Sequence, residues 1–211
     1  MKTKAILPCA GYGTRMGMTP NTSKELISDP FHNNAPIIEY TLNLCSLYNI
    51  EPLVVTRQDK TDLIEYCNIN EIETLIIEPQ GEWPTTMLKS QPHWAENNIL
   101  LLPDVRFEPW NTIRNMKRSL ELGNKAVFAL HQVDDVSKWG QIKNYKVIEK
   151  PHDNSSGFAW GVMGFKADYG EQLFSMMGLR NNPYTLQDTS FLYLTNFKDI
   201  TRTGSIENVE F

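Results

Sequence analysis

Short runs of consecutive apolar residues constrain the fold of this chain more than any other feature of its sequence. The runs AILPC, LVV, LII and ILLL begin at residues 5, 53, 75 and 99. A strand that is covered on both faces has such a run, because neither face meets water. Longer segments of helical periodicity separate the runs, and this alternation is typical of an α/β fold. The sequence therefore predicts a mainly parallel, mixed central sheet flanked by helices.

Two patterns locate the individual elements. The apolar runs predict strands at Lys4–Cys9, Pro52–Thr56, Thr74–Glu78, Ile99–Pro103, Ala126–His131, Lys146–Glu149, Trp160–Phe165 and Ser205–Phe211. The helical periodicity predicts helices at Ala35–Tyr48, Lys60–Cys67, Pro84–Glu96 and Trp110–Leu122, the third of them bent or broken at Pro92. The aromatic segment Tyr184–Phe197 fits either a helix core or a dimer face, which leaves a homo-oligomer open. The length of 211 residues fits a single domain.

The charge balance excludes some classes of partner. The chain has 20 Lys and Arg against 25 Asp and Glu, a net charge of −5, whereas nucleic-acid-binding proteins have a basic excess. No stretch approaches the roughly 18 apolar residues of a membrane helix, and the N-terminus lacks the pattern of a signal peptide. Cys9, Cys45 and Cys67 form no motif and favour free thiols in a reducing compartment. We therefore expect a cytoplasmic protein without a nucleic-acid or membrane partner.

The loop after the first predicted strand has the composition of a phosphate-binding site. It contains Gly11, Gly13 and Gly17, and the basic residues Arg15 and Lys24 follow. Glycines let the backbone turn sharply and approach a ligand, so that successive N–H groups can point at phosphate oxygens. Ligands of open α/β sheets bind at the carboxyl ends of the strands, where this loop lies. The two cations would supply the positive charge that a triphosphate needs.

Two other phosphate motifs fit this loop less well. A P-loop requires a Lys directly after its last glycine, and Met18 follows Gly17. In a dinucleotide-binding turn the third glycine would come one residue earlier, and an acidic residue would end the second strand. That strand ends at Thr56-Arg57, and Asp59 is a poor substitute for the acid. The P-loop is excluded, and the dinucleotide-binding interpretation is disfavoured.

The residues around the loop resemble a known family. Residues 7–16 read LPCAGYGTRM and residues 23–26 read SKEL. They resemble the signature of sugar-1-phosphate nucleotidylyltransferases, roughly L-A-G-G-x-G-T-R-L followed by P-K-x-L. Ala35–Tyr40 also resembles the helix start that follows in this family, and the resemblance extends over residues 3 to about 166.

The resemblance implies a Rossmann-like nucleotidyltransferase fold and a reaction. A nucleoside triphosphate would transfer its NMP group to a sugar 1-phosphate, giving an NDP-sugar and pyrophosphate. Residues 1–131 would form the nucleotide-binding half and residues 132–211 the acceptor-binding half. The partners are then a nucleoside triphosphate and a small phosphorylated acceptor, and the cofactor is Mg²⁺.

The family's pattern also implies residue roles. Arg15 would hold the leaving pyrophosphate, Lys24 the α-phosphate, Asp104 the Mg²⁺ and Lys150 the phosphate of the acceptor. Asp104 follows an apolar strand, and carboxylate oxygens are ligands that Mg²⁺ accepts. The nucleotide-binding residues implied by the resemblance are Ala10, Gly11, Gly13, Thr14, Arg15, Glu78, Gln80 and Gly81. Whether Glu78 or Gln80 reads the base stays open.

Two later segments resemble the acceptor pocket of the family. Lys138-Trp139-Gly140-Gln141-Ile142 followed by Glu149-Lys150-Pro151 is similar to "R-[YF]-G-V-V … E-K-P", and residues 161–165, GVMGF, are similar to a strand that lines the pocket. Gly140 would lie against the sugar, Glu149 would accept hydrogen bonds from its hydroxyls, and Gly161 would line the pocket. Residues Gly140, Glu149, Lys150 and Gly161 are therefore the predicted acceptor-binding residues.

The chain departs from the family in one respect. Members that act on hexose 1-phosphates carry a second metal-binding Asp on a late strand, in a W-x-D-x-G-T setting. We expect that strand to begin near Ile206–Phe211, where no Asp is present. This leaves two alternatives open: a cytidylyltransferase that acts on a phosphorylated amino alcohol such as phosphocholine, and a catalytically impaired regulatory domain that binds nucleotide.

Overall fold

The computed structural model describes residues 2–12, 22–30, 32–78, 83–152, 155–178 and 183–201. The helices in these ranges are α1 (Ile37–Leu47), α2 (Thr61–Ile69), α3 (Trp83–Leu88), α4 (Thr112–Glu121) and α5 (Ala167–Met177). Short 3-10 helices lie at Lys24–Leu26, Gln91–His93 and Val136–Lys138. Within the described ranges, no helix is long and apolar enough to cross a membrane.

The strands extend through both halves of the chain. The first half contains β1 (Thr3–Pro8), β2 (Ser28–Asp29), β3 (Ala35–Pro36), β4 (Glu51–Thr56), β5 (Glu73–Ile76), β6 (Asn97–Leu100), β7 (Val105–Glu108) and β8 (Ala126–Val133). The second half contains β9 (Gly140–Lys143), β10 (Lys146–Glu149), β11 (Gly157–Lys166), β12 (Tyr184–Thr185), β13 (Thr189–Tyr193) and β14 (Asn196–Asp199). The predicted strand Ser205–Phe211 lies outside the described residues.

The strands around β1 form the parallel centre of the sheet. β1 pairs with β4 on one side and β6 on the other, and β5 extends the sheet beyond β4. In this register Ile6 lies opposite Leu53 in β4 and Leu100 in β6. Because parallel strands end at the same edge of a sheet, the segments that follow β1, β4, β5 and β6 meet there.

The long strand β11 joins the second half of the chain to this centre. It pairs antiparallel with β6, β8 and β9; β10 and β12 continue from β9, and β13 runs parallel to β8. Together these strands form one ten-stranded mixed sheet. The predicted α/β fold with a mixed central sheet flanked by helices is therefore confirmed. The division into halves at residue 131 stays a prediction.

Apolar side chains cover both faces of β1. Ile6 packs with Leu53 in one core cluster, and the next residue, Leu7, packs with Val54 in a second cluster on the opposite face. Consecutive strand residues point to opposite faces, so an unbroken apolar run is buried only if helices cover both. Full burial of each side chain contributes about 2 kcal/mol. The free cysteines Cys9, Cys45 and Cys67 are buried in this structure as well.

The structure corrects three predicted elements. The segment 184–197 contains strands β12, β13 and part of β14, so its interpretation as a helix core is wrong. Its aromatic residues pack against neighbouring strands, a long-range constraint that local spacing does not reveal. The third predicted helix ends at Leu88 and is followed by the 3-10 helix that contains Pro92, whose ring lacks an N–H to continue an α-helix. The strand predicted at 99–103 ends at Leu100.

Candidate active site

The edge where the parallel strands end brings distant segments of the chain together. Cys9 follows β1, and its N–H donates to the carbonyl of Val55 in β4 at 2.8 Å. Ile77 follows β5, and its N–H donates to the carbonyl of Thr56 at 2.9 Å. Asp104 lies after β6 on the other side of β1. A ligand at this edge would therefore meet four segments that are far apart in sequence.

Lys24 and Asp104 form an ion pair at this edge. The Lys24 ammonium contacts Oδ2 of Asp104, and both side chains are largely buried. Burial alone would raise the pKa of Asp104, but the charge of Lys24 and hydrogen bonds from Lys24 and Thr201 outweigh it and lower the pKa. Burial alone would lower the pKa of Lys24, but the charges of Asp104 and Glu25 outweigh it and raise the pKa. Both groups are therefore charged at neutral pH, which suits a site for a phosphorylated ligand.

A second carboxylate, Asp199, lies beside this pair. The Thr201 hydroxyl contacts Oδ1 of Asp199 at 2.9 Å and Oδ2 of Asp104 at 3.1 Å. The N–H of Ile200 donates to the carbonyl of Asp104 at 3.0 Å, because β14 pairs antiparallel with β7. The expectation that no second Asp accompanies Asp104 is therefore wrong.

The sequence contains a signal for this carboxylate. Phe197-Lys198-Asp199-Ile200-Thr201 preserves the aromatic residue and the Asp of the W-x-D-x-G-T setting, with the same spacing. This segment lies earlier in the chain than Ile206, near which we expect the late strand with the second Asp to begin. Phe197 also replaces the Trp. Thr201 and Arg202 stand where the setting has Gly and Thr, so three of its four specified residues differ, and this conceals it.

A buried ion pair fixes the position of Lys24. Glu25 is fully buried, and its Oε2 accepts a hydrogen bond from Nζ of Lys60 at 2.7 Å. The same ammonium donates to the carbonyl of Cys9 at 2.7 Å. The N–H and hydroxyl of Ser23 donate to Asp62, at 2.8 Å and 2.6 Å. The start of α2 thus holds the beginning of the glycine-rich loop and the segment that carries Lys24.

Some predicted nucleotide-binding residues lie outside the described residues, and others lie at the sheet edge. Gly13, Thr14, Arg15, Gln80 and Gly81 belong to the ranges 13–21 and 79–82, which the structure does not describe. Ala10 is buried at the end of β1. A Cβ built at Gly11 would meet no atom of the described residues within 4 Å. Glu78 is exposed, and its carbonyl accepts a hydrogen bond from Lys89.

The predicted acceptor-binding residues lie on the antiparallel side of the sheet. Glu149 is buried at the end of β10, and its Oε1 accepts a hydrogen bond from the indole of Trp160 at 3.0 Å. Gly140 lies directly against both side chains, since a Cβ there would be 2.0 Å from Nε1 of Trp160. Here Trp160 fills the space next to Gly140 where the resemblance implies a sugar. The roles of Gly140 and Glu149 towards a sugar stay predictions.

Lys150 has an uncommon backbone conformation. Its φ is +45°, in the left-handed region that residues other than glycine seldom adopt. The N–H of Lys150 donates to the carbonyl of Trp139 at 2.9 Å, which ties the end of β10 to the residue before Gly140. Strained backbone persists where surrounding contacts determine it, and it is frequent at ligand sites.

Aromatic rings connect the acceptor side to Asp199. The Phe197 ring stacks on His131 with a centroid distance of 3.8 Å and an interplanar angle of 15°. Trp139 packs edge-on against His131, at 5.1 Å, and Phe197, at 5.7 Å. Gly161 leaves room for this stack, because a Cβ there would be 2.2 Å from the Phe197 ring. Gly161 therefore contacts Phe197, two residues before Asp199.

Among the described residues, no group of three or more His, Cys, Asp or Glu side chains is arranged to hold a metal ion. Asp104 and Asp199 are a pair of carboxylates linked by one hydroxyl. A pair of carboxylates suits a cation that takes its remaining oxygen ligands from bound phosphates and water.

We predict that loss of the Lys60 charge destabilises the fold strongly. Lys60→Met would leave the carboxylate of Glu25 buried and unpaired, which costs about 3–5 kcal/mol. The double variant Lys60→Met/Glu25→Leu removes both charges and should recover most of that loss. Denaturant unfolding of the single and double variants measures both effects.

Lys4 and Glu73 provide the matched control for this prediction. They form an ion pair with the same 2.7 Å distance at the opposite end of β1, but the Glu73 side chain is 44% exposed. Lys4→Met should cost about 1 kcal/mol or less, because water can solvate Glu73. An equal loss in Lys4→Met and Lys60→Met would contradict a special role for the buried pair.

We also predict a pH dependence of stability that comes from His131. Burial lowers the pKa of His131 to about 4 from the ordinary value of 6.5, although a hydrogen bond with the backbone of Gln132 opposes the shift. The unfolded chain therefore takes up a proton near pH 6.5 that the folded chain takes up only near pH 4. The free energy of unfolding should fall by about 3 kcal/mol across this window as the pH decreases.

His131→Phe keeps a ring on Phe197 but cannot titrate. The free energy of unfolding of wild type minus that of this variant should fall by about 3 kcal/mol from pH 6.5 to pH 4, measured by urea unfolding at each pH. His152→Gln removes a histidine at an exposed position outside this ring stack and is the control. Parallel profiles for His131→Phe and wild type would show that the pKa of His131 is the same in the folded and the unfolded chain, and would contradict the prediction.

Solved structures share the fold described above. No protein-family model and no curated protein sequence matches the chain. A crystal structure assigned as a glucose-1-phosphate thymidylyltransferase from Bacillus anthracis, in complex with sucrose, matches with a TM-score of 0.73 and 16% identity, over 99% of this chain and 97% of that one.

Two further solved structures match over nearly the whole chain. HddC from Yersinia pseudotuberculosis has a TM-score of 0.68 and 15% identity, covering 98% of this chain and 97% of its own. The UTP-bound UGPase from Acinetobacter baumannii has a TM-score of 0.67 and 18% identity, covering 98% and 92%. At such low identity the matches establish the fold. This chain has the fold of these proteins, in agreement with the resemblance of its first loop to sugar-1-phosphate nucleotidylyltransferases.

Proposed function

We propose that this protein transfers the nucleotidyl group of a nucleoside triphosphate to a sugar 1-phosphate and releases pyrophosphate. One observation carries the proposal: Lys24, Asp104 and Asp199 meet at the carboxyl edge of the parallel strands, directly beside the glycine-containing end of β1. An ammonium and two carboxylates at this edge fit a ligand with several phosphates and its counter-cation.

The reaction is an in-line displacement at the α-phosphorus. A phosphate oxygen of the acceptor attacks, the bond from the α-phosphorus to the bridging oxygen breaks, and pyrophosphate leaves with that electron pair. Because an anion attacks an anionic centre, the reaction needs charge neutralisation and alignment more than a covalent protein group. Lys24 neutralises the α-phosphate, Arg15 holds the pyrophosphate, and Lys150 orients the phosphate of the acceptor.

The residues present fit Mg²⁺. Asp104 and Asp199 would hold it through carboxylate oxygens, which this hard cation prefers, and the phosphates of the nucleotide would complete its ligands. When bound, the ion neutralises charge on the phosphates. The Lys24 ammonium lies against Asp104 in the absence of these partners and is close enough to exchange that contact for a phosphate oxygen.

One structural observation supports a second class of acceptor. The rings of Trp139, His131 and Phe197 cluster next to the strand that carries Asp199. Aromatic faces bind quaternary ammonium groups, so this cluster favours a phosphorylated amino alcohol such as phosphocholine as the alternative acceptor. The impaired regulatory domain stays a third alternative, and the carboxylate of Asp199 beside Asp104 argues against it.

Pyrophosphate release tests the proposal. UTP, dTTP, CTP, GTP and ATP would each be combined with several hexose 1-phosphates and with phosphocholine, with Mg²⁺ present. We expect release only when both a triphosphate and a sugar 1-phosphate are present. Release in which phosphocholine is the only effective acceptor would favour the amino alcohol reaction. No release with any pair of triphosphate and acceptor would refute nucleotidyl transfer.

We predict that Lys24→Ala and Arg15→Ala each lower kcat/KM by about 100-fold or more, because each removes charge from the phosphates in the transition state. Lys143→Ala and Arg114→Ala remove the same charges at exposed positions and serve as controls. Both site variants should still unfold cooperatively, but Lys24→Ala should melt at a lower temperature than wild type, because it leaves the Asp104 carboxylate buried without its cation. Turnover within severalfold of wild type in both would refute the role assignment.

We predict that Asp199→Asn raises the Mg²⁺ concentration needed for half-maximal activity and lowers kcat at saturation by about 10-fold or more. Asp168→Asn, at the exposed start of α5, is the control. Calorimetric titration of nucleotide with and without Mg²⁺ gives a readout apart from turnover, since the variant should lose most of the effect of the ion. An unchanged Mg²⁺ dependence would exclude Asp199 as a ligand.

A further inference from the structure

Arg57 is a buried cation at the same edge that the proposed reaction does not use. Arg57 directly follows β4. The hydrogen bonds from Cys9 to Val55 and from Ile77 to Thr56 connect the ends of β1 and β5 to the end of β4. Arg57 therefore lies between the loop after β1 and the segment after β5. Only 7% of the residue is exposed.

The guanidinium of Arg57 has partners by charge and by stacking, but two of its nitrogens, Nε and Nη1, lack a hydrogen bond within the part of the chain that the structure describes. Its Cζ lies 3.8 Å from the ring centroid of Tyr12, and its Nε lies 3.0 Å from Oδ1 of Asp59. The approach of Asp59 is not aligned with the N–H, and neither Nε nor Nη1 has a hydrogen-bond acceptor. A buried donor without an acceptor costs free energy, most of all on a charged group.

Arg106 shows how the same kind of side chain is satisfied when it is structural. Its Cζ also lies over a tyrosine ring, 4.3 Å from the centroid of Tyr40. Its Nε donates to Asp29 at 3.0 Å, Nη1 to the carbonyl of Val105 at 2.8 Å and Nη2 to the carbonyl of Ile37 at 2.9 Å. All three nitrogens of Arg106 are bonded. The unsatisfied donors of Arg57 are therefore not a general property of stacked arginines in this fold, and they point to an external acceptor.

The order of the strands indicates which part of a nucleotide Arg57 meets; this step rests on the proposed function. The α-phosphate would lie at Lys24 and Asp104, on the β6 side of β1. β4 is two strands away from β6, which corresponds to about 10 Å. At that separation Arg57 is out of reach of the reacting phosphorus and would meet one of the two ends of the ligand, which we take to be the nucleoside end.

The chemistry of the guanidinium then selects the base. Arginine has only donors, arranged in a rigid fork, so it binds carbonyl oxygens; it can also donate to a ring nitrogen, but N1 and N7 of adenine flank an amino group, for which arginine has no acceptor. We propose that Arg57, held flat by Tyr12, donates hydrogen bonds to a carbonyl oxygen of the nucleobase, and that the enzyme therefore uses uracil, thymine, cytosine or guanine nucleotides in preference to adenine. Adenine has no carbonyl oxygen and presents an amino group instead.

Base selectivity tests this inference. The kcat/KM with the preferred acceptor and the Kd from calorimetry would be measured for UTP, dTTP, CTP, GTP and ATP, in wild type, Arg57→Lys and Arg57→Met. In both variants, the values for the best oxo-base triphosphate should worsen by about 10- to 100-fold, while those for ATP change by less than about 3-fold. Arg106→Lys is the matched control; it should lower the melting temperature and leave the ratio between bases unchanged.

Three outcomes would overturn the inference. An equal loss for all five triphosphates would place Arg57 on the ribose or the phosphates, and unchanged values would show that the nucleotide does not reach it. If wild type binds and turns over none of the triphosphates, the proposed function fails as well, whereas a loss of selectivity concerns Arg57 alone. In case the variants do not fold, the wild type can be compared on ITP and the triphosphate of purine riboside, which differ by the carbonyl; equal affinity for the two would also overturn the inference.

Discussion

The buried ion pair between Lys60 and Glu25 is the interaction on which the arrangement of the site depends. Taking two charges out of water is expensive, and the attraction between them seldom returns more than that cost. The pair makes sense as a positional constraint, because the same ammonium binds the carbonyl of Cys9. One cation thus fixes the place where the glycine-rich loop begins and the place where Lys24 ends it. Without the Lys60 ammonium, Lys24 would lose one of the contacts that hold its segment next to Asp104.

The constraint at one end of the site is matched by a strand pairing at the other. β14 pairs with β7, and this register puts Asp199 opposite Val105, the residue after Asp104. The hydroxyl of Thr201 then lies between the two carboxylates. Like charges held this close repel, and Lys24 offsets part of that repulsion. Lys24 therefore stabilises the two carboxylates when no nucleotide is bound, and a bound cation would offset their repulsion in its place.

The sequence predicts the parts of this molecule that local patterns determine. Unbroken apolar runs identify β1, β4 and β6 because burial on both faces requires them, and glycines with nearby cations identify the loop that Lys24 ends. Asp199 escaped prediction because its role depends on a pairing with β7, a strand of four residues that follows a turn at Asp104. The partner of Glu149 escaped for the same reason, since Trp160 reaches it from another strand. Contacts between segments that are distant in sequence leave no periodicity to read.

A glycine in β11 allows an aromatic contact with β14. Phe197 lies over Gly161 in β11 because that position has no Cβ, and the stack continues to His131 in β8. Phe197 and Asp199 are two residues apart in β14 and so share a face of the strand. A displacement of the ring would therefore be passed to the carboxylate through a strand that has little freedom to absorb it. The aromatic cluster of Trp139, His131 and Phe197 and the proposed cation site therefore share one strand, and the packing of Phe197 helps to fix the position of Asp199.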